Sequence, residues 1–140
     1  MCAFAAAYES GADVKSICEG LNAFKGAGRR FELVGKYNGI TFADDYAHHP
    51  TEITATIKAA KKIENGKIIA VFQPHRYSRT NFFLNEFAES LKEADEILLL
   101  PIYSAEEENI YNVSSEKLAE LVGKNAKVYS DQEIMQIVEE

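Results

Sequence analysis

Apolar and polar positions alternate along this chain in two distinct rhythms. In residues 13–24, Val14, Ile17, Cys18, Leu21 and Phe24 recur at helical spacing, one face of a helix. Residues 2–9 predict a shorter helix before it. Gly11 ends the first helix and Asp13 caps the second. "KGAGRR", residues 25–30, breaks the rhythm with two glycines and three basic residues, and reads as a hinge. Two β-prone runs follow in "RFELVGKYNGITFAD", with Asn38-Gly39 between them as a hairpin turn.

Pro50 at a first helical turn, with Glu52 close behind, predicts a helix over about 50–64, stopped by Gly66. "KIIAVFQ" is almost wholly apolar, as for a strand covered on both faces. "RTNFFLNEFAESLKEA" predicts one amphipathic helix, and "EILLLPIY" a second buried strand. "SSEKLAELVG" follows as a helix capped by Ser114 or Ser115, then "AKVYS" as a short strand, and "DQEIMQIVEE" as a last helix capped by Asp131. Strand–helix alternation of this kind predicts an α/β fold: a Rossmann-like three-layer domain with a mostly parallel sheet, an antiparallel hairpin at its start and a short helical piece before it.

Composition narrows the class. At 140 residues there is room for one real core, and 46% hydrophobic content excludes disorder. The longest apolar runs are strand-sized, so no membrane partner is expected. "MCAFAAAYES" lacks a basic leader, and Cys2 and Cys18 have neither CxxC nor zinc-ligand spacing, so a reduced, cytoplasmic protein is expected. The net charge of −7 argues against nucleic acid. Basic residues nevertheless cluster, Lys25 with Arg29 and Arg30, and Arg76 with Arg79, which points to small anionic ligands.

Titratable chemistry concentrates in "DDYAHHPTEI" (44–53) and "FQPHRYSRT" (72–80), which hold all three histidines. Both follow predicted strands, and open α/β sheets bind ligands beyond the carboxyl ends of their strands. Arg76 and Arg79 can present two guanidinium forks to a carboxylate or phosphate at a helix start, or can be solvated surface arginines. Asp44 and Asp45 can hold a ribose or a cation, or cap a turn. His48 and His49 diverge if the loop is extended, so one can meet substrate while the other is a hydrogen-bonded core histidine. His75 is the better substrate contact, and Tyr46 either stacks on a base or covers the core edge. A metal site from Asp45, His48 and His75 matches no strong template, so no metal ligands are assigned. No P-loop, dinucleotide fingerprint or nucleophile elbow is present. The chain reads as half of an active site.

"DDYAHHPTEI" together with "FQPHRYSRT" resembles the C-terminal domain of Mur ligases, on the branch that adds L-alanine to UDP-N-acetylmuramate, and "FKGAGRRFELVG" is similar to that family's passage from central to C-terminal domain. The likeness runs from about residue 5 to 140. A related ligase that recycles muropeptides shares a loop like the first, whereas the "PHRYSR" form of the second favours alanine addition. The resemblance implies a cytoplasmic, ATP- and Mg2+-dependent step of peptidoglycan synthesis. In that step the UDP-N-acetylmuramate carboxylate becomes an acyl phosphate, which the amine of L-alanine attacks.

It implies, further, that residues 1–25 are trailing helices and hinge of a central domain holding the P-loop and magnesium ligands. Residues 26–140 are then the C-terminal domain without its last strand and a glycine-containing loop. On this resemblance Arg30 and Asp45 hold ATP, at phosphate and ribose, with Tyr46 a weaker adenine or subunit contact. His48, His75, Arg76 and Arg79 face L-alanine and the acyl phosphate. The piece alone is expected to be inactive, its partners being its own central and N-terminal domains. The competing readings are a stand-alone Rossmann-like nucleotide or anion-binding module and a metal-dependent hydrolase using the Asp/His loop.

Overall fold

The computed structural model describes residues 2–24, 26–130 and 132–134. They fall into two compact units that divide between Tyr46 and Ala47.

The first unit opens with α1 (Cys2–Glu9) and α2 (Val14–Ala23). Gly11, at φ 88°, makes the break between them. Asp13 then caps α2 as expected, its carboxylate accepting the Ser16 N–H at 3.0 Å and the Ser16 hydroxyl at 2.6 Å. Of the apolar face of α2 only Ile17 is buried. Lys25 lies outside the described residues. After the glycine-rich turn, β1 (Glu32–Tyr37) and β2 (Ile40–Asp44) pair antiparallel, with Tyr37 opposite Ile40. Asn38 and Gly39 have φ of 47° and 83°, the two consecutive positive values that a two-residue hairpin requires. The hairpin is a two-stranded sheet of its own among the described residues.

The second unit carries the larger core. Helix α3 (Pro50–Ile63) starts at the proline, as the sequence predicts. Strands β3 (Ile69–Phe72), β4 (Glu96–Leu99) and β5 (Ala126–Val128) form a parallel sheet in chain order. Between them run α4 (Tyr77–Phe82), α5 (Leu84–Leu91) and α6 (Ser115–Val122). The mixed α/β class with an initial antiparallel hairpin and a parallel sheet is the one expected. Ile53 and Ile57 of α3, Phe87 and Leu91 of α5, Ile97 and Leu99 of β4, and Leu118 of α6 are all buried in one cluster.

Two local expectations are corrected. Strand β3 is not covered on both faces: Ala70 and Phe72 pack on the core, but Ile69 and Val71 are 49% and 54% exposed. An apolar run fixes the extended conformation without fixing what lies against its second face. The helix expected over 79–94 is two helices meeting at Phe83, where ψ turns to 23°, although its carbonyl still accepts the Phe87 N–H at 2.8 Å. The Phe83 ring meets His49, Phe82 and Phe87 edge-on, so the bend seats an aromatic cluster. At the C-terminal end, Ser130 makes the cap with Glu133, its hydroxyl accepting the Glu133 N–H while the Glu133 carboxylate accepts the Ser130 N–H. Asp131 and residues 135–140 lie outside the described residues.

Candidate functional site

In the second unit, His48, His75, Arg76 and Arg79 come together. The parallel pairing of β3 with β4 continues past the strand ends: Leu100 N–H donates to the Phe72 carbonyl at 3.0 Å and Tyr103 N–H to the Pro74 carbonyl at 2.9 Å. Arg76 N–H then donates to the Tyr103 carbonyl at 2.8 Å, and the Tyr103 ring stacks on His75 at 5.2 Å. The loop after β4 therefore lies alongside the "PHRYSR" loop, at the carboxyl ends of both strands.

Arg76 sits at φ 74° and ψ 134°, close to a region that side-chain-bearing residues rarely enter. Its carbonyl accepts from both the Thr80 N–H (3.1 Å) and the Thr80 hydroxyl (2.7 Å), and Thr80 is fully buried. These bonds over-determine the strained backbone. Arg79, one turn on and half-buried, has no ion-pair partner among the described residues.

The electrostatics follow from this crowding. The His75 pKa lies below the ordinary 6.5, first because burial penalises the imidazolium, then because Arg79, Arg76 and His48 repel it; Glu107 alone pulls the other way. His75 is thus a neutral imidazole at pH 7, set among cations.

The two neighbouring histidines separate in role. His49 caps α3: its Nδ1 accepts the Thr51 N–H at 3.4 Å and lies 2.9 Å from the Thr51 hydroxyl, and its ring packs on Phe83. Glu52 reaches back to accept the His49 and His48 N–H groups at 3.2 and 3.1 Å. His49 is the structural histidine of the pair. The half-buried His48 ring has its Nδ1 3.6 Å from the Glu52 carboxylate.

The start of α4 is taken by an acidic side chain of the chain's own. Glu107 fills that place: its carboxylate accepts the Ser78 N–H at 3.0 Å and the Ser78 hydroxyl at 2.8 Å, and lies 3.6 Å from the Arg76 guanidinium. Those two bonds, then Arg76, hold the Glu107 pKa below the usual carboxylate value. Sequence reading missed Glu107 and Tyr103. The signal available was the acidic run 106–108 in a loop that follows a buried strand.

In the first unit, Arg30, Asp45 and Tyr46 lie at the start and finish of the hairpin. The half-buried Asp45 accepts the Phe31 N–H at 2.7 Å, and Asp44 pairs with Arg29 at 3.0 Å. The Arg29 guanidinium covers one face of the Tyr46 ring at 5.1 Å, and Tyr46 N–H donates to the Arg29 carbonyl at 2.8 Å. Arg30 and Tyr46 are exposed. A cation, a carboxylate and an aromatic ring are the side-chain types that phosphate, ribose and base call for. Among the described residues no group of three or more His, Cys, Asp or Glu side chains is placed to hold a metal ion. Nor is any helix among them long and apolar enough to cross a membrane.

Two arginines and two histidines, drawn from the loop before α3 and from the loop and first turn of α4, stand beside the parallel sheet of an α/β domain. The family model "Mur ligase, glutamate ligase domain" matches residues 29–139, and the chain belongs to that family. It is 51% identical over 118 residues to the UDP-N-acetylmuramate–L-alanine ligase of Caldicellulosiruptor bescii, covering 84% of this chain and 26% of that protein. It is 53% identical over 119 residues to the same-named protein of Synechocystis sp., covering 82% and 24%. The crystal structure of UDP-N-acetylmuramate-alanine ligase MurC from Thermotoga maritima superposes with a TM-score of 0.69 at 30% identity, over 96% of this chain and 29% of that one. A murein peptide ligase from Psychrobacter arcticus gives 0.65 at 33%, with the same coverage. The chain spans about a quarter of the length of the curated relatives it matches.

Proposed function

We propose that this chain serves as the C-terminal domain of an ATP-dependent, cytoplasmic ligase that joins L-alanine to UDP-N-acetylmuramate in peptidoglycan synthesis. The observation that carries the reading is the convergence of His48, His75, Arg76 and Arg79 in a chain half-identical to ligases of that name. Arg79 takes the carboxylate of L-alanine through its guanidinium fork, and Arg76 and His48 complement the charge of the reacting acyl phosphate. His75, kept neutral, has a ring nitrogen able to accept a proton or hydrogen bond from the incoming amine.

In the hairpin unit, Arg30 serves the phosphates of ATP, Asp45 its ribose, and Tyr46 its adenine. ATP supplies the phosphoryl group that activates the muramate carboxylate. The magnesium ligands belong to the preceding domain, of which residues 1–25 are the trailing helices. The residues of this chain bind and orient; none of them is a nucleophile.

The test is a pair of ligation assays with ATP, magnesium, UDP-N-acetylmuramate and L-alanine, one on this chain and one on the full-length protein that carries it. Turnover by the full-length protein alone is the expected result. Turnover by neither contradicts the reading and returns the domain to a nucleotide- or anion-binding module. A full-length protein that joins a preformed muropeptide but not L-alanine is a recycling ligase.

A further inference from the structure

We propose that Glu107 is a positioning residue for the cation cluster: from the loop after β4 it supplies the cap that α4 lacks and tethers Arg76, fixing how the guanidinium is presented to the reacting acyl phosphate. This rests on the alanine-ligase reading and deepens it, because no role at that site is otherwise assigned to the β4 loop.

The need for such a residue is visible in α4 itself. Its first residues offer no local cap, since Arg76 occupies the N-cap position and makes no side-chain bond to the helix. A six-residue helix starting from a positive-φ arginine has little stability of its own. Glu107, 29 residues further along the chain, supplies the missing acceptor twice, to the N–H and to the hydroxyl of Ser78.

The same carboxylate lies 3.6 Å from the Arg76 guanidinium, longer than a tight charge-assisted hydrogen bond. A guanidinium has five N–H donors, so one loose ion pair restrains its swing and leaves donors for a ligand. The carboxylate also occupies the amide end of α4, so an incoming anion is directed to the guanidinium groups instead. The neighbouring backbone completes the brace: Tyr103 accepts the Arg76 N–H and stacks on His75. Unpaired, Arg76 would sample its many rotamers, and the reacting groups would lose the fixed geometry on which rate depends.

Glu107→Gln and Glu107→Ala in the full-length protein separate cap from tether. Glutamine keeps an acceptor for Ser78 and loses the charge that holds Arg76; alanine loses both. The expected result is a fall in kcat/KM for L-alanine of about 10-fold for glutamine and on the order of 100-fold for alanine. KM for ATP stays unchanged, and the glutamine variant melts with the wild type. An unchanged kcat/KM for L-alanine in both variants overturns the proposal. So does a wild-type kcat/KM in Glu107→Gln with the loss confined to a lower-melting Glu107→Ala, which is the signature of the cap acting alone.

If the wild-type protein does not ligate at all, the alanine-ligase reading fails, and amide exchange on the 140-residue chain still decides the positional claim. Faster exchange of the Ser78 amide in Glu107→Ala, by about 10-fold or more, supports it; exchange equal to wild type overturns it.

Discussion

Arg76 occupies a backbone conformation suited to glycine, and that makes it a test of whether strain is being held for function. At φ 74° and ψ 134° a side-chain-bearing residue carries about 1–3 kcal/mol of strain. Two variants isolate the backbone contribution, because Arg76→Gly and Arg76→Ala both lose the guanidinium and its contact with Glu107. At an ordinary φ, alanine is the more stable of the two by about 0.4–1 kcal/mol, since glycine has more freedom to lose on folding. Here the order reverses. Taking roughly 2 kcal/mol of relieved strain less roughly 0.7 kcal/mol of added chain entropy, glycine is favoured by about 1 kcal/mol. For a unit running from residue 47 to 140 that is roughly 4–8 °C in melting temperature. The assay is thermal unfolding of the two variants of this chain, followed by circular dichroism. The same substitutions in the full-length protein are expected to cripple ligation equally. A glycine variant that melts with or below the alanine variant would refute the reasoning, because the bonds from Tyr103 and Thr80 would then be holding no strain.

Three further expectations concern other residues of the same unit. His49→Ala removes the cap of α3 and is expected to cost about 1 kcal/mol of stability while leaving kcat/KM for L-alanine unchanged; equal melting of variant and wild type would contradict the assigned cap. Leu118→Ala, at a position with no exposed surface, is expected to cost about 2–5 kcal/mol, read as a lower midpoint in a denaturant titration; an unchanged midpoint would contradict its place in the core. His75 sets a pH dependence of known sign. Its folded pKa is below 6.5, so its contribution to stability is complete above that value and is lost as pH falls from 6.5 through the folded pKa. Melting temperatures over about pH 5 to 8 should lose part of their acid slope in His75→Gln, and an unchanged slope would assign the titration elsewhere.

The parts of the structure legible in the sequence were those whose causes are local. Asn38-Gly39 specifies its turn, Asp13 its helix start and Pro50 with Glu52 another, each within a few residues of the structure it dictates. The candidate cluster was legible in part for the same reason: His75, Arg76 and Arg79 stand together at the start of α4, with His48 from a separate loop. What escaped depends on residues far apart in the chain. Glu107 acts on Ser78 across 29 positions, and nothing in "AEEENI" distinguishes it from the acidic residues beside it. The exposed face of β3 escaped because an apolar run reads the same whether or not its second face is covered. The bend at Phe83 escaped because helical periodicity survives it, with Phe83, Phe87 and Leu91 still spaced for a single face.

The central claim is that the cation cluster of this domain receives L-alanine, and Arg79 tests it most directly because its guanidinium has no protein ion pair among the described residues. The measurement is kcat/KM for L-alanine of the full-length protein and its Arg79→Ala variant, with ATP and UDP-N-acetylmuramate saturating. The account predicts a loss on the order of 100-fold with the melting temperature unchanged. An unchanged kcat/KM in a protein that ligates L-alanine would remove Arg79 from the site and contradict the account.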